Sequence, residues 1–172
     1  MAPDETDDDA TPDFVSAVRG SWSSALPGLD TSPLDVLGRI SRISALSVQR
    51  LNGVLATSGV SRSEFDVLCA LARSPQPLRA SGVTAQTMLS GAATTKLTAR
   101  LEGLGLVQRR RLERDGRVVL LSLTEEGRAL VEEQFPRCVD SDRRLLAGLD
   151  DGERAALAAL LRRVAANAER HR

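Results

Sequence analysis

The stretch that decides the fold is residues 89–124, LSGAATTKLTARLEGLGLVQRRRLERDGRVVLLSLT. Its first part predicts a helix over Ser90–Leu104, with Ser90 as the N-cap and Gly105 just past the C-terminal end. Helical spacing divides this segment into two sides. The side predicted to face the core carries Ala93, Leu97, Leu101 and Leu104, and the opposite side carries Ala92, Thr95, Lys96 and Ala99.

Two predicted strands, residues 107–113 and 117–123, follow this helix directly. Asp115-Gly116 is expected at the tip of their hairpin, because Asp-Gly strongly favours a two-residue turn. Residues 90–124 contain seven basic and three acidic side chains, a local charge of +4 on a chain whose formal net charge is zero. Such a basic segment fits a phosphate-binding surface, and a solvated charged hairpin is the alternative interpretation.

Upstream of this stretch the spacing of apolar residues predicts three helices. Residues 13–25 place Phe14, Val18 and Trp22 on one face, and residues 33–57 carry a long apolar stripe. A third helix is predicted from a capping box, Ser61-x-x-Glu64, to about Arg73. It is apolar nearly all round, so we expect it to be central and buried.

The remaining elements are also predicted to be helical. A short helix is expected at 84–89, before the helix that Ser90 caps. Another begins at Thr124 and contains Pro136, where we expect a kink or a break. The last runs from Asp151 to about Glu169 and has leucines on one face.

Composition excludes several classes of protein. The two cysteines, Cys69 and Cys138, are too few for a disulfide scaffold and are interpreted as buried thiols, with a redox role left open. The only histidine is His171, and no catalytic, metal-binding or nucleotide-binding motif is visible, so we expect neither an enzyme nor a cofactor. No apolar run reaches the ~20 residues of a membrane span, and the acidic N-terminus is unlike a signal peptide, so we expect a cytoplasmic protein.

A buried helix, a short helix, a recognition helix and a hairpin together predict a winged helix-turn-helix in a mainly α protein. The recognition helix of this motif enters the major groove of double-stranded DNA. The hairpin, or wing, is placed to reach phosphates and the minor groove. The alternative is a winged helix that serves as an architectural or protein-docking module without operator specificity.

Several short motifs resemble the MarR family of bacterial transcriptional regulators. They are Leu101-Glu102-x-x-Gly105-Leu106-Val107, Arg109-Arg110, Asp115-x-Arg117 and Leu123-Thr124-x-x-Gly127. The resemblance implies an obligate homodimer that binds a palindromic operator, usually as a repressor, and that a small ligand releases from DNA. It divides the chain into an acidic tail predicted to be disordered (1–12), an N-terminal arm with a dimerisation helix (13–57), a DNA-binding lobe (58–124) and C-terminal dimerisation helices (125–172).

The resemblance also assigns candidate DNA contacts. Thr95 and Lys96 match the base-reading positions of the family, and Lys96 is the only lysine in the sequence. Alternatively, Lys96 is a surface lysine that occurs at this position by chance. For Arg117, the alternative is an ion pair with Asp115 that stiffens the wing. The complete set of candidate DNA contacts is Ser90, Ala92, Thr95, Lys96, Arg100, Arg109, Arg114 and Arg117.

The extra N-terminal helix and the run Glu64-Phe65-Asp66-Val67-Leu68 are similar to the PecS/HucR branch of the family. In that branch a tryptophan, an aspartate and an arginine near the recognition helix form a ligand pocket. The resemblance makes Trp22 and Asp66 candidate ligand-binding residues, whereas Leu97 stands where the arginine is expected and argues against urate. Alternatively, Trp22 packs the extra helix on the dimer core and Asp66 bonds to a helix N-terminus. The expected effector is a small aromatic or anionic compound.

Overall fold

The structure is a computed structural model that describes residues 13–112 and 115–170, with side chains described for all of these except 112 and 115–117. The described chain is mostly helical and has one two-stranded sheet, as the sequence predicts. In chain order the elements are α1 (Phe14–Ala25), α2 (Pro33–Val54), α3 (Arg62–Arg73), α4 (Ala80–Gln86), α5 (Gly91–Gly103), β1 (Val107–Leu112), β2 (Asp115–Leu123), α6 (Glu125–Leu145) and α7 (Asp151–Arg170).

The chain divides into two compact units, Met1–Gln49 and Arg50–Arg172, with the boundary inside α2. In the first unit α1 approaches α2 closely: a Cβ added at Gly38 would meet the Cγ1 of Val15 at 2.8 Å, and Val15 is the one buried residue of α1. Arg39 of α2 reaches back to the Asp13 carboxylate at 2.9 and 3.0 Å. A small residue and an ion pair therefore hold α1 on the first half of α2.

The core of the second unit forms around α3, as predicted. The Ser61–Glu64 capping box is present at its N-terminus. Seven of the twelve residues of α3 are buried, and α3 packs against α4, α5, α6 and β2. The cysteine thiols belong to this core: Cys69 and Cys138 are both buried and free. Burial raises the pKa of the Cys69 thiol to about 11 and also raises the pKa of Cys138.

The end of α5 and the start of α6 are joined by a tight set of contacts. Gly105 has a positive φ of 72°, a conformation that glycine adopts at low cost. Its carbonyl accepts a hydrogen bond of 2.7 Å from the Thr124 hydroxyl, which in turn caps α6 by accepting from the Gly127 N–H. A Cβ at Gly127 would lie 2.0 Å from the Leu106 carbonyl oxygen, so only glycine fits there. The motif Thr124-x-x-Gly127 thus fixes α6 against the turn that links α5 to the hairpin.

The hairpin is antiparallel, and its pairing starts with Val107 opposite Leu123. Its tip was predicted wrongly: Asp115 opposes Leu112 within the sheet, so Asp115-Gly116 belongs to β2 instead of forming the turn. The reason is a register irregularity after Arg111, which opposes Val119 and shifts the pairing toward residues earlier in β2.

Two other predictions about the elements need correction. The short helix runs over Ala80–Gln86 and not over 84–89. It begins early because Leu78 pairs with Leu121 through backbone hydrogen bonds of 2.9 and 2.7 Å, and the chain turns into α4 directly after this bridge. Of the kink or break predicted at Pro136, the break is absent: α6 continues through it. Pro136 is exposed, so water can satisfy the carbonyl that loses its partner.

Candidate nucleic-acid interface

Helix α5 is positioned by a buried side that agrees only in part with the predicted one: Leu101 is buried as predicted, and Leu97 packs against the core. Ser90 caps the helix as expected, accepting from the Ala93 N–H at 3.2 Å. The buried residues are Thr94, Thr98 and Leu101, whereas Leu104, predicted to face the core, is 48% exposed. The threonines are buried without penalty because their hydroxyls are bonded: the Thr84 hydroxyl donates to Thr94 at 2.9 Å, and Thr98 donates to the Thr95 carbonyl at 3.1 Å.

The outward side of α5 agrees with the prediction. Exposed on it are Ala92, Thr95, Lys96 and Ala99. The Thr95 hydroxyl donates to the Gly91 carbonyl at 2.9 Å, within the helix itself. Among the described residues, none forms a hydrogen bond or ion pair with the Lys96 ammonium. The helix thus presents a surface of small groups with one unpaired cation, which can approach the edges of base pairs closely.

Arg100 lies one turn beyond Lys96 and has a partner that the sequence analysis missed. Its guanidinium forms an ion pair with Glu64 of α3, a residue that is 1% exposed. The Glu64 carboxylate also accepts from the Ser61 N–H and hydroxyl at 2.7 and 2.8 Å. Burial raises the pKa of Glu64, but the hydrogen bonds from Arg100 and Ser61 outweigh burial and leave the pKa below its ordinary value. Glu64 is therefore a buried anion, and Arg100 compensates its charge.

Arg109 of β1 also makes contacts within the chain. Its Nε lies 2.8 Å from a Glu102 carboxylate oxygen, and its guanidinium donates to the Thr98 hydroxyl at 3.4 Å. These contacts join the root of the hairpin to α5 around an open cavity of about 70 Å³. Of the other wing candidates, Arg114 lies outside the described residues, and the Arg117 side chain is not described, so its predicted alternatives stay open.

The two candidate ligand-binding residues lie in different units. Trp22 is 48% exposed on α1. Asp66 on α3 forms an ion pair of 2.8 Å with Arg62 on the same helix, instead of a bond to a helix N-terminus. Arg62 is a cation beside Asp66 that was not among the predicted site residues, and its i, i+4 spacing from Asp66 is the signal that could have identified the pair.

No group of residues that could hold a metal ion occurs in the described part of the chain. Over the same residues, none of the helices combines the length and apolar character that crossing a membrane would need.

Comparison with known proteins agrees with this geometry. The sequence model of the MarR family matches residues 58–118. The transcriptional regulator PecS of Dickeya dadantii (strain 3937) is 34% identical over 152 residues, which cover 87% of this chain and 92% of PecS. The fold is also similar to two solved structures. One is BpsR of Bordetella bronchiseptica, whose DNA binding is regulated by 6-hydroxynicotinic acid, and the other is CouR of Rhodococcus jostii RHA1 bound to p-coumaroyl-CoA. BpsR is 29% identical with a TM-score of 0.68, covering 76% of this chain and 92% of its own. CouR is 25% identical with a TM-score of 0.66, and the match covers 79% of this chain and 92% of the CouR chain.

The fold and the exposed side of α5 define a winged helix-turn-helix protein of the DNA-binding class. The chain belongs to the MarR family. It is a DNA-binding transcriptional regulator, and the alternative of an architectural or docking module is not supported.

Proposed function

We propose that the protein is a repressor that binds a palindromic operator as a homodimer and that a small aromatic or anionic effector releases it. The observation that carries this proposal is the outward side of α5, where an unpaired Lys96 stands among small groups next to a basic hairpin. Two such helices related by a two-fold axis would enter successive major grooves, with half-sites about 10 bp apart.

Within this site the residues have different proposed roles. Lys96 donates to a base edge, Thr95 and Ala92 meet thymine methyl groups, and Ser90 lies at the helix N-terminus, which favours a phosphate. In the wing, Arg114 and Arg117 are proposed to contact phosphates or the minor groove. Arg109 can share that role only by exchanging its contact with Glu102 for one with DNA.

The proposed homodimer is supported by apolar side chains that the chain leaves exposed. Leu157, Leu160 and Leu161 of α7 are 39%, 56% and 40% exposed, and no residue of that helix, which is described in full, is buried. Leucines at this spacing form one helical face, and such a face is typical of an interface between subunits. We therefore propose that α7, together with the N-terminal helices, forms the dimer contact.

The proposed effector site contains Asp66 and its partner Arg62. Both side chains are partly exposed, and the pair offers a cation and an acceptor to a planar acid. BpsR is regulated by 6-hydroxynicotinic acid and CouR binds p-coumaroyl-CoA, a hydroxylated aromatic acid and an aromatic acyl thioester, which supports a ligand of this class. Trp22 is proposed as a ligand-binding residue on the resemblance to the PecS/HucR branch alone. We assign the protein no catalytic role and place its action in the cytoplasm.

A gel shift with the DNA upstream of the protein's own gene tests operator binding. We expect at least about 1,000-fold weaker binding to a scrambled duplex of equal length and composition, because specific and non-specific sites usually differ by that factor or more. Equal affinity for both duplexes at moderate salt would refute the proposed function and would favour a sequence-tolerant module.

A thermal-shift series with nicotinate, hydroxynicotinate and hydroxycinnamate compounds tests effector binding. An effector that binds the folded protein raises the Tm with increasing concentration. Arg62→Ala should remove the shift, and Arg50→Ala, an exposed arginine at the end of α2, should retain it. An equal shift in the wild type and Arg62→Ala would contradict the proposed role of the Arg62–Asp66 pair.

A further inference from the structure

Glu64, at the start of α3, and Arg100 of the recognition helix form an ion pair in which the Glu64 side chain is almost fully buried. Among the described residues, it is the only ion pair that joins these two helices. Glu64 is fixed: its neighbours Phe65, Val67 and Leu68 lie in the core, and the Ser61 capping box holds its second oxygen. Arg100 is the partner on the side of DNA, and its side chain is 55% exposed.

The pair matters for α5 because Arg100 and Lys96 are four residues apart and are neighbours on the helix surface. Rotation of α5 about its axis moves both side chains together. The buried side of the helix contains Thr94, Thr98 and Leu101, and none of them carries a charge. The charged contact at Arg100 is therefore one constraint on the rotation of α5, and so on the side to which Lys96 is presented.

Removal of either partner has a clear physical cost. A buried carboxylate without its cation is strongly unfavourable, so α5 is held where Arg100 can reach Glu64. The Arg100 guanidinium donates to one oxygen of the fixed Glu64 carboxylate, whose other oxygen accepts from Ser61. We propose that Glu64 and Arg100 are positioning residues that orient the recognition helix for base reading, and that Arg100 does not contact DNA phosphate. This inference rests on the proposed operator binding.

The test is a double-mutant cycle on operator affinity with Glu64→Gln, Arg100→Gln and the double variant. Each duplex is titrated by fluorescence anisotropy at four salt concentrations, well below the Tm of every variant. We expect each single variant to bind the operator about 10-fold more weakly, and the double variant to bind no more weakly than the weaker single, because one contact is lost in all three. Affinity for scrambled DNA and the slope of log K against log salt should stay at wild-type values.

Other results would overturn the proposal in distinct ways. If Arg100 contacts phosphate, Arg100→Gln lowers the salt slope by about 0.9 and weakens binding to both duplexes, while Glu64→Gln leaves affinity unchanged. If the pair only stabilises the fold, both variants lower the Tm and retain wild-type operator affinity. If Glu64→Gln does not fold, the salt slope and the operator-to-scrambled ratio of Arg100→Gln alone decide between these outcomes.

A matched control removes the same charge elsewhere. Arg137→Gln on α6 breaks an exposed contact of 3.7 Å with Glu133 and should change neither the operator-to-scrambled ratio nor the Tm by much. A failure of the proposed function is distinguishable from a failure of this inference, because it appears already in the wild type as equal affinity for operator and scrambled DNA.

Discussion

Helices α5 and α7 use leucine in opposite ways. In α5, Leu101 is fully buried with two threonines, and the outward side carries small or polar groups. In α7, described in full, no residue is buried, and the leucines face solvent. The DNA-binding lobe therefore completes its core within one chain, whereas the apolar face of α7 is left exposed and is the surface that we propose a second subunit covers.

The largest expected effect comes from a charge on the leucine face of α7. Leu160→Glu should convert the proposed dimer to a monomer and weaken operator binding by more than about 100-fold, because two linked half-sites bind far more tightly than one. Sedimentation velocity and anisotropy measure the two quantities. Ala166→Glu, which places the same charge on the opposite side of α7, should leave both unchanged. A dimeric Leu160→Glu would mean that α7 is not the subunit contact.

Truncation of leucine separates the two helices further. Leu101→Ala should lower the free energy of unfolding by about 2–5 kcal/mol, because it leaves a cavity in a filled core. Leu160→Ala should instead lower the Tm in a manner that depends on protein concentration, since it acts through association. Urea unfolding and thermal melts at two concentrations check this. If the Tm of both variants showed the same dependence on protein concentration, the proposed difference between α5 and α7 would be contradicted.

Acid should weaken the lobe through Glu64. Its pKa in the folded protein is below the ordinary value of 4.5, so the folded state is stabilised by the carboxylate above that pH. The stabilisation is lost as the pH falls through the lowered pKa. Urea midpoints measured from pH 7 to pH 3 should therefore fall more steeply below pH 4.5 for the wild type than for Glu64→Gln. Parallel curves would show that the Glu64 charge contributes nothing.

The smallest expected effect concerns the thiols. Burial raises the pKa of Cys69 to about 11 and raises that of Cys138 as well, so both remain protonated and inaccessible at neutral pH. A colourimetric disulfide reagent should react slowly with the native protein. In urea, it should label both thiols of the unfolded protein at once. Operator affinity should not change after mild oxidation. Rapid labelling of native protein with loss of DNA binding would instead establish a redox role.

Local signals explain which elements were predictable. The Ser61–Glu64 capping box and Gly105 each act within a few residues. The capping box begins α3, and Gly105 follows the end of α5, where the sequence predicts. The start of α4 was missed because Arg79 provides no side-chain cap, and the cause is a backbone bridge from Leu78 to Leu121. The hairpin tip was missed because the pairing register overrode the preference of Asp-Gly.

The candidate site was predictable on its exposed side only. Helical spacing gives the outward positions of Thr95 and Lys96 directly. It does not show that Thr98 can be buried once its hydroxyl is bonded to a carbonyl. Helical spacing also cannot show that Arg100 pairs with Glu64, because the two residues are 36 positions apart in the sequence. From the sequence, Glu64 was interpreted only as part of a helix cap. Partners brought together by packing carry no local signature.

The most direct test of the central claim is the effect of Lys96→Ala on base recognition, with Arg137→Ala on α6 as the control of equal charge. We expect Lys96→Ala to weaken operator binding by about 10-fold or more and to relax base preference at one position in each half-site, since a good base contact contributes about 1–3 kcal/mol of discrimination. Arg137→Ala should bind as the wild type does. Unchanged operator affinity of Lys96→Ala at moderate salt would contradict the assignment of α5 as the recognition helix.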